Sequence, residues 1–164
     1  SLVRKIIDNS GVNLDSSAPF ESDADQLGAA LMTPTRIYRK AAATALTTGG
    51  VSGIVHVTGG GLIENPPRVF GDKVSFRLDC TATPLPPVFS WIRDTGNMEL
   101  PELARTFNCG IGLIIYVDAS KADEVLGALQ TGPEPEAYFV GELVKRGDQP
   151  AVILEGVDNW RRQT

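Results

Sequence analysis

Ile111-Gly112-Leu113-Ile114-Ile115-Tyr116-Val117 is an almost continuous apolar run. A strand covered on both faces has no solvent side, loses the apolar-polar alternation and reads this way, so a central strand is expected here. Its helical partner is expected from Ala119 to Leu129. Outward from this run, Val74-Ser75-Phe76-Arg77-Leu78 alternates cleanly and predicts a half-buried strand. Ile54 to Thr58 is another short strand. Ala137 to Val144 and Ala151 to Leu154 resemble two final strands joined through the turn at Arg146-Gly147-Asp148.

Helices fill the intervals. Leu2, Val3, Ile6 and Ile7 share a face at helical spacing, and Asn9-Ser10-Gly11 supplies a stop. Residues 12–21 read as irregular. Ser22 is placed to cap a second helix, with Asp25 answering its N–H and Leu27, Ala30 and Leu31 as the buried stripe before Pro34. The alanine-rich stretch from Ile37 to Thr47 predicts a third, ended by Gly49-Gly50. Pro87 to Ile92 opens a helix with proline near its first turn, and Leu100 to Phe107 makes another, with Gly96 and Asn97 between them. A helical turn or two is expected around Leu62-Ile63-Glu64-Asn65, limited by Pro66-Pro67. No repeat appears, and Gly132 to Glu136 is too short to divide two cores. Residues 1–164 therefore read as one domain of α+β class, a mixed β-sheet covered by helices in a three-layer α/β/α arrangement. Arg161-Arg162-Gln163-Thr164 reads as a solvated tail.

Composition narrows the functional classes. The chain has 164 residues, 42% hydrophobic and 21% charged, enough for a substantial core. Lys and Arg number 15 against 20 Asp and Glu, for a formal net charge of −5, so no basic field is available for nucleic acid. Any phosphate binding must be local. No apolar run is long enough to span a bilayer, and the opening Ser1-Leu2-Val3-Arg4-Lys5 lacks the apolar stretch of a secretory signal, so a cytoplasmic protein is expected. Cys80 and Cys109 are too far apart in sequence for a metal-type pair, and there is only one histidine to join them. No metal site is expected; free thiols are the plainer reading of the two cysteines, with one disulfide as the alternative.

His56-Val57-Thr58-Gly59-Gly60-Gly61 sets a titratable ring at a strand end before three glycines and a helix-like segment. Glycines permit a sharp turn and close backbone approach, and a helix start offers unpaired N–H groups, so the segment is a candidate for binding a phosphorylated group. His56 has two readings from spacing: a core imidazole satisfied by a carbonyl, or an acid, base or hydrogen-bond donor on the ligand. Arg36, after the Pro34 break, is either a surface arginine or a two-pronged grip on an anion. Glu64 and Arg68 read as an i,i+4 ion pair. In Phe107-Asn108-Cys109-Gly110-Ile111-Gly112, Asn108 either presents its amide to a ligand or caps a tightly packed strand. No full phosphate loop or dinucleotide fingerprint is present.

Together, Pro34-Thr35-Arg36-Ile37-Tyr38, His56-Val57-Thr58-Gly59-Gly60-Gly61-Leu62, Glu64-Asn65 with Pro67-Arg68, and Arg105-Thr106-Phe107-Asn108 with Gly110-Ile111-Gly112 resemble the successive motifs of the phosphoribosylformylglycinamidine cyclo-ligase (aminoimidazole ribonucleotide synthetase) family. The resemblance runs from Ser1 to the Gly141-Glu142 region and corresponds to that family's C-terminal half. Two positions depart from it: Cys109 stands where methionine is expected, which suggests packing, and Pro66-Pro67 replaces an apolar residue and a single proline.

The resemblance implies a ligase of de novo purine biosynthesis that converts formylglycinamidine ribonucleotide to aminoimidazole ribonucleotide, ADP and phosphate. It implies ATP and Mg2+ as cofactors, bound mainly by an N-terminal ATP-binding half that is absent here. Catalysis would fall to His56. Substrate or phosphate contacts would fall to Thr35, Arg36, Thr58, Gly59, Gly60, Gly61, Asn65, Asn108 and Gly110. The expected partner is a phosphorylated small molecule, with homodimerisation resting on the other half, and residues 1–164 alone are expected to lack turnover. The alternatives are a related ATP-using enzyme, such as selenophosphate synthetase or thiamine-monophosphate kinase, and a non-catalytic phosphate-ligand-binding or interaction domain.

Overall fold

A computed structural model describes residues 2–160; the expected C-terminal tail lies outside them. Strand β1 (Val51–His56) pairs antiparallel with β3 (Leu113–Val117), with His56 opposite Leu113 and Ile54 opposite Ile115. A second ladder is centred on β2 (Val74–Asp79), antiparallel to β4 (Gly141–Lys145) and parallel to β5 (Val152–Glu155). Helices and mixed strand pairing give the α+β class that the sequence predicts. The last two strands do not pair with each other; they flank β2, with the Arg146-Gly147-Asp148 turn carrying the chain across.

The apolar run at 111–117 is accounted for by its faces. Ile114 and Tyr116 enter the main core with Phe76 and Leu78, while Leu113, Ile115 and Val117 pack on Ala41 and Ala45 of α3 (Arg39–Thr48) and on Val125 and Leu129 of α7 (Ala122–Gln130). Both faces of β3 are therefore covered. It is not central, however: among the described residues it pairs with β1 alone. Side-chain polarity reports the covering of faces and says nothing about main-chain pairing at the edges.

In the main core the Tyr116 ring meets Phe76 and Phe70 edge-on at centroid distances of 5.4 and 5.8 Å. Phe76, Leu78, Leu62 and Leu103 are fully buried, each stabilising the fold by about 1.5–3 kcal/mol. α1 (Leu2–Ser10) contributes Ile6 to this core and α5 (Pro87–Gly96) contributes Ile92. Asn97 closes α5 in the left-handed conformation, a role open to Asn because its short side chain tolerates positive φ.

Two local expectations fail. The helix expected from Ser22 is only α2 (Leu27–Leu31), capped by Gln26 without a side-chain bond. The Ser22 hydroxyl instead accepts from the Ala24 N–H at 3.1 Å, the local turn with which short polar side chains compete against helix. The strand expected from Ala137 begins only at Gly141. Upstream, Gln130 Nε2 donates to the Ala137 carbonyl at 2.8 Å, and Tyr138 and Phe139 remain exposed. Among the described residues no helix is long and apolar enough to cross a membrane.

Candidate functional site

β1 ends at His56, and the chain turns through Thr58–Gly61 into α4 (Gly61–Glu64). Gly60 and Gly61 hold φ of +96° and +54°, a region that only glycine enters freely. At Gly61 a side chain would strike the carbonyl oxygens of Ala104 and Phe107, so the turn is docked on the end of α6 (Leu100–Thr106). Asn65 stitches the turn from beneath. Buried to 1% exposure, it accepts from the Thr58 N–H at 2.6 Å and donates to the Gly59 carbonyl at 2.9 Å. Pro66 and Pro67 then force a 3-10 turn over Pro66–Val69. That break ends the α-helical register, and no Glu64–Arg68 ion pair forms, contrary to the i,i+4 reading.

Beside the turn lies a rim built from distant segments. The His56 ring is exposed, with Val55 and Val57 buried on the other side of the strand. The core-imidazole reading is thereby overturned. The Tyr38 ring stands edge-on to the His56 ring at 5.8 Å, and its hydroxyl occupies the space that a side chain at Gly112 would need. The Gly112 carbonyl in turn accepts from the Val57 N–H at 2.9 Å. Burial raises the Tyr38 phenol above its ordinary pKa, with the Arg36 charge opposing and Glu134 adding to the rise. Arg36 is engaged at both terminal nitrogens, by Glu134 at 2.9 Å and Glu136 at 3.7 Å.

Thr35, Arg36, Tyr38, His56 and Leu113 line an open recess of about 460 Å³. Arg36, Tyr38 and Leu113 also line a larger adjoining groove of about 1130 Å³, which Asn108 and Gly110 border. Asn108 shapes its own loop: its Oδ1 accepts from the Gly110 N–H at 3.0 Å and its carbonyl from the Ile111 N–H at 2.9 Å. Between them, Cys109 takes a φ of +50° and buries its thiol. Burial pushes that thiol up to about 12, and Cys80 likewise, so both are packing groups and not nucleophiles. Both cysteines are free, which decides against the disulfide alternative.

Of the residues singled out from the sequence, Thr35, Arg36 and His56 converge on the recess, and Asn108 and Gly110 on the groove that shares Arg36, Tyr38 and Leu113 with it. Thr58, Gly59, Gly60, Gly61 and Asn65 line neither cavity. They reach the site through the chain, as the turn that follows His56, and the Asn65 side chain serves that turn alone. Sequence reasoning missed Tyr38, Gly112, Glu134 and Glu136. Tyr38 and Gly112 lie inside motifs already noted, where a ring-on-glycine contact was a readable option. Glu134 is 98 residues from Arg36 and leaves no local signal.

Among the described residues no group of three or more His, Cys, Asp or Glu side chains converges as a cation site. What the arrangement offers is a guanidinium, an imidazole and a phenol at the recess and an Asn-shaped backbone loop on the adjoining groove, a set suited to hydrogen-bonding and charge-pairing with an anionic ligand. A family model described as AIR synthase related protein, C-terminal domain, matches residues 1–153. The chain belongs to that family.

Proposed function

We propose that this chain forms the substrate-holding part of the cyclo-ligase that turns formylglycinamidine ribonucleotide into aminoimidazole ribonucleotide, ADP and phosphate. Members of the family are ATP-using enzymes of the AIR synthase kind. The observation that carries the specific reading is the convergence of Arg36, Tyr38 and His56 on one recess from either side of α3.

In the reaction, phosphorylation of the formyl oxygen turns a poor leaving group into a good one. An internal nitrogen then attacks the formyl carbon, and the carbon–oxygen bond breaks as phosphate departs. ATP supplies the activation when bound, and no step of it is assigned to residues of this chain. The chain's own contribution is positioning and charge. Arg36, with Thr35 beside it, holds a phosphate of the substrate by paired N–H donors. His56 hydrogen-bonds the reacting amide or takes the proton that the attacking nitrogen loses. Asn108 and Gly110 shape the wall of the groove. The Gly59 and Gly60 main chain offers further N–H donors to phosphate oxygens, whereas the Thr58 and Gly61 N–H groups are bonded inside the turn, to the Asn65 side chain and to the Thr58 carbonyl.

Calorimetric titration with formylglycinamidine ribonucleotide tests this. The expected result is binding that Arg36→Ala abolishes and that Arg4→Ala, on an exposed position of α1, leaves unchanged. Equal affinity in the two variants overturns the reading, as does a parent protein that fails to bind. Preference for a selenium or thiamine phosphate compound would instead support the related selenophosphate synthetase or thiamine-monophosphate kinase activities.

A further inference from the structure

We propose that residues 131–139 act as an electrostatic strap whose Glu134 and Glu136 occupy the Arg36 guanidinium and compete with a phosphorylated ligand for it. The inference rests on Arg36 being the anion-holding residue of the proposed site.

Three observations support it. First, both terminal nitrogens of Arg36 are taken, Nη1 by Glu134 at 2.9 Å and Nη2 by Glu136 at 3.7 Å. These are the nitrogens a phosphate would use for two parallel hydrogen bonds. A guanidinium does not lose its charge in proteins, so the site frees itself only by exchanging partners. Second, two carboxylates flank the one Arg36 guanidinium and offset its attraction for an incoming anion until they withdraw, while Arg39, the other cation lining the recess, is in no ion pair with either of them. Third, the strap is anchored locally. The Glu134 N–H donates to the Leu129 carbonyl, the Ala137 N–H to the Glu134 carbonyl, and Gln130 Nε2 to the Ala137 carbonyl, all within the strap or to the end of α7. Pro133 and Pro135 on either side of Glu134 fix their own φ and stiffen the presentation of the carboxylate. The Glu134 side chain is the inner of the two, 16% exposed against 67% for Glu136. Glu134, Glu136 and Arg36 border the same groove, so withdrawal would open it where the ligand has to pass.

The device sets specificity as well as access. A singly charged carboxylate ligand gains nothing by replacing Glu134, because it offers Arg36 the same chemistry. A phosphate monoester brings more charge and three acceptor oxygens to the exchange.

The test measures inorganic phosphate affinity by phosphorus NMR titration of the parent protein, Glu134→Gln, Glu136→Gln and the double variant, with and without Arg36→Ala. Glutamine keeps the shape of the side chain and its hydrogen bonding while removing the charge. Glu124→Gln, which alters an exposed ion pair with Lys121 elsewhere on α7, serves as the control. The double variant should bind phosphate about fivefold tighter than the parent. Each single variant should gain less, Glu124→Gln should not change, and Arg36→Ala should abolish binding throughout. Melting temperatures of the glutamine variants within a few degrees of the parent establish that folding is intact, and the exposed Glu136 position guards against a folding artefact at Glu134. Arg36-dependent binding that is unchanged or weakened in the double variant overturns the strap alone and leaves the anion site standing. Binding indifferent to Arg36, or undetectable in parent and double variant alike, overturns the site and the strap together.

Discussion

The glycine turn at Thr58–Asn65 and the rim around Arg36 both adjoin His56, yet they are held by opposite means. The turn's hydrogen bonds span only a few residues and are closed by a fully buried asparagine, and Gly61 wedges it against the Ala104 and Phe107 main-chain oxygens. The rim is made of exposed and half-buried side chains from distant segments, held by ion pairs that water and salt can loosen. One is a fixed platform and the other an adjustable mouth. In the proposed site the first would keep the geometry at His56 and the second would admit a charged ligand.

If the turn is the rigid member, small changes there should unfold the protein. Gly61→Ala forces a side chain into the Ala104 and Phe107 carbonyls at positive φ and should cost about 3–4 kcal/mol. Gly59→Ala meets open space with no such strain and should stay within about 0.5 kcal/mol. Chemical denaturation of the pair decides it: similar midpoints would break the contrast. Asn65→Ala follows in size. It strands the Thr58 N–H and the Gly59 carbonyl and should cost about 2–3 kcal/mol by the same measurement. At the rim, His56→Asn should leave stability within about 0.5 kcal/mol of the parent, because its ring is exposed. The same change should lower kcat in the enzyme that contains this domain. A large fall in melting temperature with kcat preserved would return His56 to a structural role.

What could be read in advance divides along the same line. Strands and helices with a strong local signal were legible, Val74–Asp79 because burial imposes a period on a strand and α3 because its alanines favour helix. The glycine turn was legible because positive φ restricts the residue type. The Ser22 cap failed because its hydroxyl had an equally local alternative in the Ala24 N–H. The pairing partners of β3 failed because an apolar run encodes covered faces and not neighbouring strands. The engagement of Arg36 by Glu134 had no local trace at all: the separation of 98 residues is bridged only by the tertiary fold. Asn65 was recognised as important, but its amide acts inward on the loop.

Amide-resolved NMR during titration with formylglycinamidine ribonucleotide tests most directly the claim that these segments serve one ligand. The account predicts that resonances of Thr35–Tyr38, His56 and Asn108–Gly112 shift together along a single binding curve, with those of Leu2–Ser10 unmoved. Shifts confined to one of the three segments, or separate curves for each, would contradict it.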